Sequence, residues 1–343
     1  MTAELTPGKK RGLDAVSNGR GVIAALAIDQ RGAMRELFSK PMGKDPADVP
    51  GNQLVEYKKA VSRILTPHAS AILLDPEFGL PASRERAKTA GLLLAYEVTG
   101  YDKAVKGRLP RLLDHWSAQR LMKEGADSIK LLLYYSAFSE PEINDIKYAF
   151  VERLGAECAA LDVPFFLELV SYADGIDGKS AEFARKKPEL VSKGMAEFTK
   201  PQYRIDILKV GMPVALAAVE GAPSPATEVV YSRNEAQQHF LEAAQQSTLP
   251  FIYLSEGVSN ETFQFGLELA AESGAKFSGV LCGRATWKDG VAVYVEKGAA
   301  ALDEWLRTVG TQNIENVNAR LQAATPWHAI RSASAATSGA PAK

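Results

Sequence analysis

"YRIDILKVGMPV", residues 203–214, sets Lys209 in the middle of a run where Ile205, Ile207, Leu208, Val210 and Val214 mark buried backbone. A nearly continuous apolar run is what a strand covered on both faces looks like, and seven others recur along the chain. They are "AALAID" (24–29), "SAILLDP" (70–76), "LLLAYE" (92–97), "SIKLLLYY" (128–135), "PFFLELV" (164–170), "FIYLSEG" (251–257) and "SGVLCGR" (278–284), with "ILKVGMP" (207–213) sixth in order. Stretches of helical periodicity lie between most of them. Alternation in this number predicts an α/β protein, a (β/α)8 TIM barrel.

The lead-ins agree. "LMKEGADSIK" and "LAAESGAKFSGV" each read as a helix ended by glycine, a short turn and a strand. The third run, inside "AGLLLAYEVTG", reads equally well as a helix end, which leaves a doubly wound open sheet as the alternative. The connection from Ser171 to Tyr203, with "KSAEFARKKPELVSKGMAEF", predicts a helical excursion whose basic residues form a solvated face, or send one side chain to an anionic substrate. No domain boundary is visible in the 343 residues: 13–331 read as one barrel, 1–12 as a flexible N-terminal tail and 332–343 as a flexible C-terminal tail too poor in apolar residues to order itself.

A formal net charge of -1 offers no sequence-wide basic field for nucleic acid or an anionic membrane. Neither is expected as a partner. Two cysteines and four scattered histidines predict neither a disulfide framework nor a thiolate or histidine metal site, so no metal is expected. "MTAELTPGKKRG" lacks an apolar signal region, and a cytoplasmic location follows as the expectation.

In a barrel of this kind chemistry gathers at the C-terminal ends of the strands. The polar residues found there are Asp29, Gln30 and Arg31 after the first strand, Lys130 on the fourth, Glu168 on the fifth, Lys209 on the sixth and Arg284 closing the eighth. Two lysines and two carboxylates on buried strands are costly as packing alone, because each unpaired charge loses several kcal/mol, on the order of the desolvation penalty. A structural alternative is that the lysines snorkel to an edge and the carboxylates pair with them. A lysine among apolar neighbours and near a second ammonium has its charged form disfavoured, which favours a nucleophilic amine able to form a Schiff base with a ketone.

"LSEGVSNETF" and "LCGRATW" put Ser255, Glu256, Gly257, Gly283 and Arg284 in the last two βα-loops, the customary phosphate site of these barrels. Arg31 is the candidate for a second anion. Asp29 either orients the lysine or caps the following helix, and Asp75 and Glu77 serve a turn as readily as catalysis.

These segments resemble the tagatose 1,6-bisphosphate aldolases, a class I family. The matching stretches include "ALAIDQRGAM", "ILLDPEFGL", "LLLAYEVTGYD", "RLPRLLDHWSAQRLMKEGADSIKLLLYY", "PFFLELVSY", "DILKV", "PFIYLSEGVS" and "GAKFSGVLCGRATW", so the resemblance runs from about residue 22 to 330. It implies a metal-free barrel cleaving a ketose bisphosphate to dihydroxyacetone phosphate and glyceraldehyde 3-phosphate. It puts the Schiff-base lysine at Lys209, the proton-transferring glutamate at Glu168, the second lysine at Lys130 and the strand-one carboxylate at Asp29. Ser255, Gly283 and Arg284 fall on phosphate-binding positions. The related sulfofructose 1-phosphate aldolases share "DQR" and "GRA-W", while "LDPEFGL", "AYEVTGYD" and "LCGRATW" favour the tagatose branch.

One departure stands out. The family pattern has a glutamate two positions after the lysine, where this chain has Gly211, and a small residue where it has Glu256. Glu256 is expected to restore the carboxylate. A ketose-phosphate epimerase or isomerase, and a non-catalytic sugar-phosphate-binding barrel, are the alternatives; a phosphorylated ketose is the expected ligand in every case, and a homo-oligomer the expected assembly.

Overall fold

The computed structural model describes residues 5–98 and 105–338, with side chains to residue 333. The ends of both expected tails and the "TGYD" of the third matching stretch lie outside the described residues.

The eight strands are β1 (Ile23–Ala27), β2 (Ala71–Leu74), β3 (Gly91–Ala95), β4 (Ser128–Tyr135), β5 (Phe165–Ser171), β6 (Ile207–Val210), β7 (Phe251–Leu254) and β8 (Gly279–Cys282). All neighbours are parallel and the order β1 to β8 closes on itself, so the barrel reading holds and the open sheet does not. The third apolar run is a strand, hydrogen-bonded to β2 and β4. The helices are α1 (Pro7–Ala15), α2 (Gly32–Met42), α3 (Gly51–Leu65), α4 (Leu80–Ser83), α5 (Ala118–Lys123), α6 (Pro141–Ala160), α7 (Ala181–Phe198), α8 (Arg233–Gln245), α9 (Asn260–Glu272), α10 (Arg284–Trp287), α11 (Gly290–Trp305), α12 (Thr311–Arg320) and α13 (Trp327–Ser338). None is long and apolar enough to cross a membrane.

Strand residues of one parity, Leu26, Ile72, Leu94, Leu167, Leu208 and Val280, pack outward against the helices. Those of the other parity, among them Ala27, Leu73, Ala95, Phe166, Ile207, Ile252 and Leu281, fill the barrel. The period of two explains both layers and what lies above them. Continuing the inward parity by one step leads from Ala27 to Asp29, Leu73 to Asp75, Ala95 to Glu97, Phe166 to Glu168 and Ile207 to Lys209. The charged layer is therefore the next inward layer of the barrel, at the C-terminal mouth.

The N-terminal end is closed by Leu13, Val16 and Trp327, which join the inner apolar cluster. Residues 7–12 belong to α1, where Lys9 Nζ meets Asp206 at 2.7 Å and the Gly8 N–H donates to Asp162. Gly12 is required there, because a Cβ would lie 2.4 Å from the carbonyl oxygen of Asp127. At the other end helix α13 runs past residue 332 to Ser338. The small apolar surface of the N-terminal segment escaped a compositional reading because the barrel end, not the segment itself, supplies its partner.

Candidate active site

Lys209 and Glu168 are paired across β5 and β6 in the strand register. Glu168 Oε2 lies 2.9 Å from Lys209 Nζ and 2.7 Å from Lys130 Nζ, so one carboxylate oxygen bridges two ammonium groups. Lys130 is wholly enclosed: Nζ donates to Asp29 Oδ2 at 2.8 Å and to Glu97 Oε1 at 2.7 Å. Glu97 also accepts from the Leu132 N–H at 3.1 Å, which fixes its carboxylate.

Burial alone would raise the carboxyl of Glu168, but Lys130 and Lys209 outweigh it and hold the group below the ordinary glutamate range, with Asp29 opposing. Asp29 is likewise lowered: burial opposes ionisation, and Lys130, Lys209 and Arg31 overcome it. Burial would lower Lys130, yet Asp29, Glu168 and Glu97 carry it well above the usual lysine value. Lys130 is thus a permanent cation held by three carboxylates. It is not the bare like charge beside Lys209 that the sequence suggests, since its field there is offset by the anions around it.

Arg31 also differs from expectation. Instead of facing an open anion site, its buried guanidinium donates to Glu77 Oε2 at 2.6 Å and to the Glu97 carbonyl at 2.8 Å. Asp29 does not cap α2, whose N-cap position is Arg31 and has no side-chain cap. Asp75 takes the turn role, accepting from the Phe78 N–H at 2.7 Å, and forms a fully buried pair with Lys58. Lys58 Nζ further donates to the Gln30 carbonyl at 3.0 Å, tying the ends of β1 and β2 together.

The last two loops meet as their sequence suggests. The Arg284 guanidinium lies so close to Gly257 that a Cβ there would sit 2.7 Å from its central carbon, and Gly257 has φ +82. A glycine serves both needs, left-handed backbone and close approach. Gln30 Nε2 lies 3.3 Å from where a Cβ on Gly283 would be, so Gln30 and Gly283 face each other across β1 and β8. Ser255 is buried beneath this loop. The turn after β8 is held by Trp287, whose indole N–H donates to the Ala27 carbonyl at 2.9 Å, and by Lys288, which donates to the Gly257 and Val258 carbonyls.

Glu256 adopts φ +49, unusual for a non-glycine residue. Its Oε1 would lie 2.6 Å from a Cβ on Gly211, so its carboxylate fills the volume that a side chain at 211 would enter. Oε2 meets Lys187 Nζ at 2.7 Å. Lys187 comes from α7 and is 6% exposed, turning inward from a helix whose Lys186 and Lys193 stay in solvent.

Glu97, Lys58 and Lys187 lie outside the sequence-based set. Glu97 carries the same signal as Glu168, a charge one inward step past an apolar strand. Lys187 belongs to the basic run whose inward-reaching member sequence could not single out, and Lys58, in "VEYKKAVSRIL", carries no local signal.

A closed (β/α)8 barrel with a lysine and glutamate paired in a charged layer at its C-terminal mouth has the architecture of a barrel enzyme. The family follows from comparison. Residues 23–289 match the DeoC/LacD family aldolase, and the chain belongs to that family. It is 54% identical over 328 residues to tagatose 1,6-diphosphate aldolase 2 of Enterococcus faecalis, covering 95% of this chain and 97% of that one. To tagatose 1,6-diphosphate aldolase of Staphylococcus aureus it is 50% identical over 317 residues, covering 92% and 96%. Among solved structures, fructose-bisphosphate aldolase of Plasmodium falciparum shares the fold with a TM-score of 0.67 at 14% identity, covering 95% of this chain and 99% of that one.

Proposed function

We propose that this chain cleaves D-tagatose 1,6-bisphosphate to dihydroxyacetone phosphate and glyceraldehyde 3-phosphate through a Schiff base on Lys209. The observation that carries the reading is the bridging of Lys209 and Lys130 by one oxygen of Glu168 inside the barrel mouth. The substrate is taken from the two bacterial relatives, at 54% and 50% identity over nearly the full chain.

The Lys209 ammonium gives a proton to the C2 oxygen through the carboxylates beside it and the amine so formed attacks C2; a second proton passes from nitrogen to the same oxygen, water leaves, and an iminium remains. Glu168, held ionised, accepts the C4 hydroxyl proton. The C3–C4 bond breaks, its electron pair enters the iminium to give an enamine, and glyceraldehyde 3-phosphate leaves. Glu168 returns the proton to C3, and water releases dihydroxyacetone phosphate. The iminium is the electron sink, so the sequence of steps calls on no metal. Lys130 holds Glu168 and Asp29 in place and keeps both ionised, while Asp29 assists proton movement during imine formation. Gln30, Ser255, Gly257, Gly283 and Arg284 bind the C1 phosphate, the guanidinium supplying a bidentate fork.

Borohydride reduction in the presence of tagatose 1,6-bisphosphate, followed by peptide mass spectrometry, tests this. Modification at Lys209 together with triose release is expected, and Lys209→Met is expected to lose both, with turnover falling by about 10⁵-fold. Trapping at another lysine, or turnover by Lys209→Met, refutes the mechanism. The same assay run with 6-deoxy-6-sulfofructose 1-phosphate compares the sister substrate directly.

A further inference from the structure

Arg31 is engaged with Glu77 and Glu97, which leaves a ketose carrying two phosphates with only one anion site among the residues placed so far. The barrel order puts β4 and β5 diametrically across the mouth from β8 and β1, where Gly283, Arg284 and Gln30 stand. On that far side the inward parity of β4 continues from Lys130 to Tyr134, and that of β5 from Glu168 to Tyr172. The two tyrosine rings meet edge to face with centroids 6.3 Å apart.

Against them lies Arg108, its guanidinium carbon 4.4 Å from the Tyr172 ring centre and 5.1 Å from that of Tyr134. Arg108 has φ +45 and follows Gly107 at φ +83, a left-handed pair. A non-glycine residue held in this region signals a conformation maintained by its surroundings. Its faces are stacked on aromatic rings. Among the described residues its N–H edges have neither a hydrogen bond nor an ion pair.

Behind Tyr172 sits Lys147, from α6, fully buried. Nζ donates to the Tyr172 hydroxyl oxygen at 3.1 Å and lies 5.0 Å from its ring centre, with no carboxylate in contact among the described residues. Burial lowers its ammonium to about 8, Arg108 adding to the effect and Asp174 opposing it. Because Lys147 occupies a lone pair of the phenol oxygen, the Tyr172 hydroxyl proton is directed elsewhere; the Ser139 hydroxyl lies 3.1 Å away. Tyr134 lies in the field of both this group and the charged layer: burial raises its phenol, Arg108 opposes this, Glu168 adds to it, and Arg284 and Lys130 oppose it.

We propose that Arg108 and the Tyr172 hydroxyl, backed by Lys147, form a second anion subsite across the barrel mouth from Arg284, and that it takes the C6 phosphate. Two stacked or buried cations without a carboxylate in contact among the described residues, beside hydroxyl donors, are the chemistry of a phosphate dianion rather than of a neutral sugar end. Arg108 is a binding residue; Lys147 is a positioning residue that acts through Tyr172.

This inference rests on the aldolase reading for the identity of the ligand, and its test is chosen to be independent of catalysis. A hexitol 1,6-bisphosphate and the matching hexitol 1-phosphate carry no carbonyl and cannot form an imine. Their dissociation constants, measured by calorimetry on the full chain, isolate the contribution of the second phosphate. The wild type is expected to bind the bisphosphate at least about 30-fold more tightly. Arg108→Leu, Lys147→Met and Tyr172→Phe are each expected to cut that preference by about tenfold while leaving the 1-phosphate within about twofold. Tyr172→Phe removes one oxygen and Arg108→Lys keeps the charge without the fork, so the measurement does not depend on the more disruptive substitutions folding. A preference unchanged in all folded variants, or an equal loss of affinity for both ligands, overturns the proposal. With ketose substrates, absence of a Lys209 adduct refutes the aldolase chemistry alone, because the hexitol ratio is read without it.

Discussion

Exchanging the residues at 211 and 256 tests whether Glu256 replaces a carboxylate missing from β6. Glu256→Gly breaks the pair with Lys187, whose side chain is 7% exposed against 31% for Glu256. Breaking a fully buried pair costs about 3–5 kcal/mol, and the partial exposure of Glu256 brings this to about 2 kcal/mol. Glycine at a φ of +49 relieves about 1 kcal/mol of left-handed backbone strain, so the net loss is about 1 kcal/mol. Gly211→Glu alone introduces a Cβ 2.6 Å from Glu256 Oε1 and a second carboxylate beside the first. Overpacking of this kind costs about 2 kcal/mol or somewhat more. Independent sites would make the double variant Gly211→Glu/Glu256→Gly about 3 kcal/mol less stable than the wild type. In the exchange reading the carboxylate introduced on β6 occupies the vacated space and meets Lys187, so the double variant falls within about 1 kcal/mol of wild type. Urea unfolding of the four proteins, followed by tryptophan fluorescence, gives a coupling energy of about 2 kcal/mol if the carboxylates are interchangeable. Additivity within about 0.5 kcal/mol would refute the reasoning.

Three further expectations concern the charged layer. Glu168→Gln removes the base but not the nucleophile, so borohydride trapping at Lys209 persists while turnover falls by about 10²–10⁴-fold; an unchanged turnover shows another base at work. Lys58→Met leaves Asp75 buried without its cation and is expected to cost about 3–5 kcal/mol by chemical denaturation, with most of it recovered in Lys58→Met/Asp75→Leu. Asp29 and Glu168 are both held below their ordinary values of 3.8 and 4.5, so the unfolded chain binds more protons in acid. Their stabilisation is complete above those values and is lost as pH falls through the lowered ones. With Lys130→Met the acid-side loss of stability, read as urea midpoints from pH 3 to 6, moves to higher pH; an unmoved profile shows that Lys130 is not what keeps the two carboxylates ionised.

The eight strands and the inward-facing charges were legible because both follow from local pattern. A strand covered on both faces is written as an apolar run, and a charge on its inward parity within or just after the run points into the mouth whatever its neighbours are. Lys209, Glu168, Lys130 and Asp29 could be picked out by that rule, and Glu97 obeys it as well. The closing glycine loops, with Gly257 and Gly283, were visible for a related reason, since left-handed turns and close approaches select glycine locally.

What sequence left open is which charge meets which. Arg31 follows the same strand as Asp29, and only the fold shows its guanidinium bound by Glu77 and the Glu97 carbonyl rather than free for an anion. Lys187 sits on α7 among other lysines and Lys147 is the one lysine of α6; their inward course depends on how α7 and α6 lie on the barrel, and no period in one segment encodes the position of another. Helix α1 is ordered by Asp162, Asp206 and the base of the barrel, partners about 150 to 200 residues away. Chain periodicity therefore determined the barrel and the inward set of charges, whereas pairing, burial and electrostatic balance were decided by tertiary packing, because a charge takes its chemistry from neighbours distant in sequence.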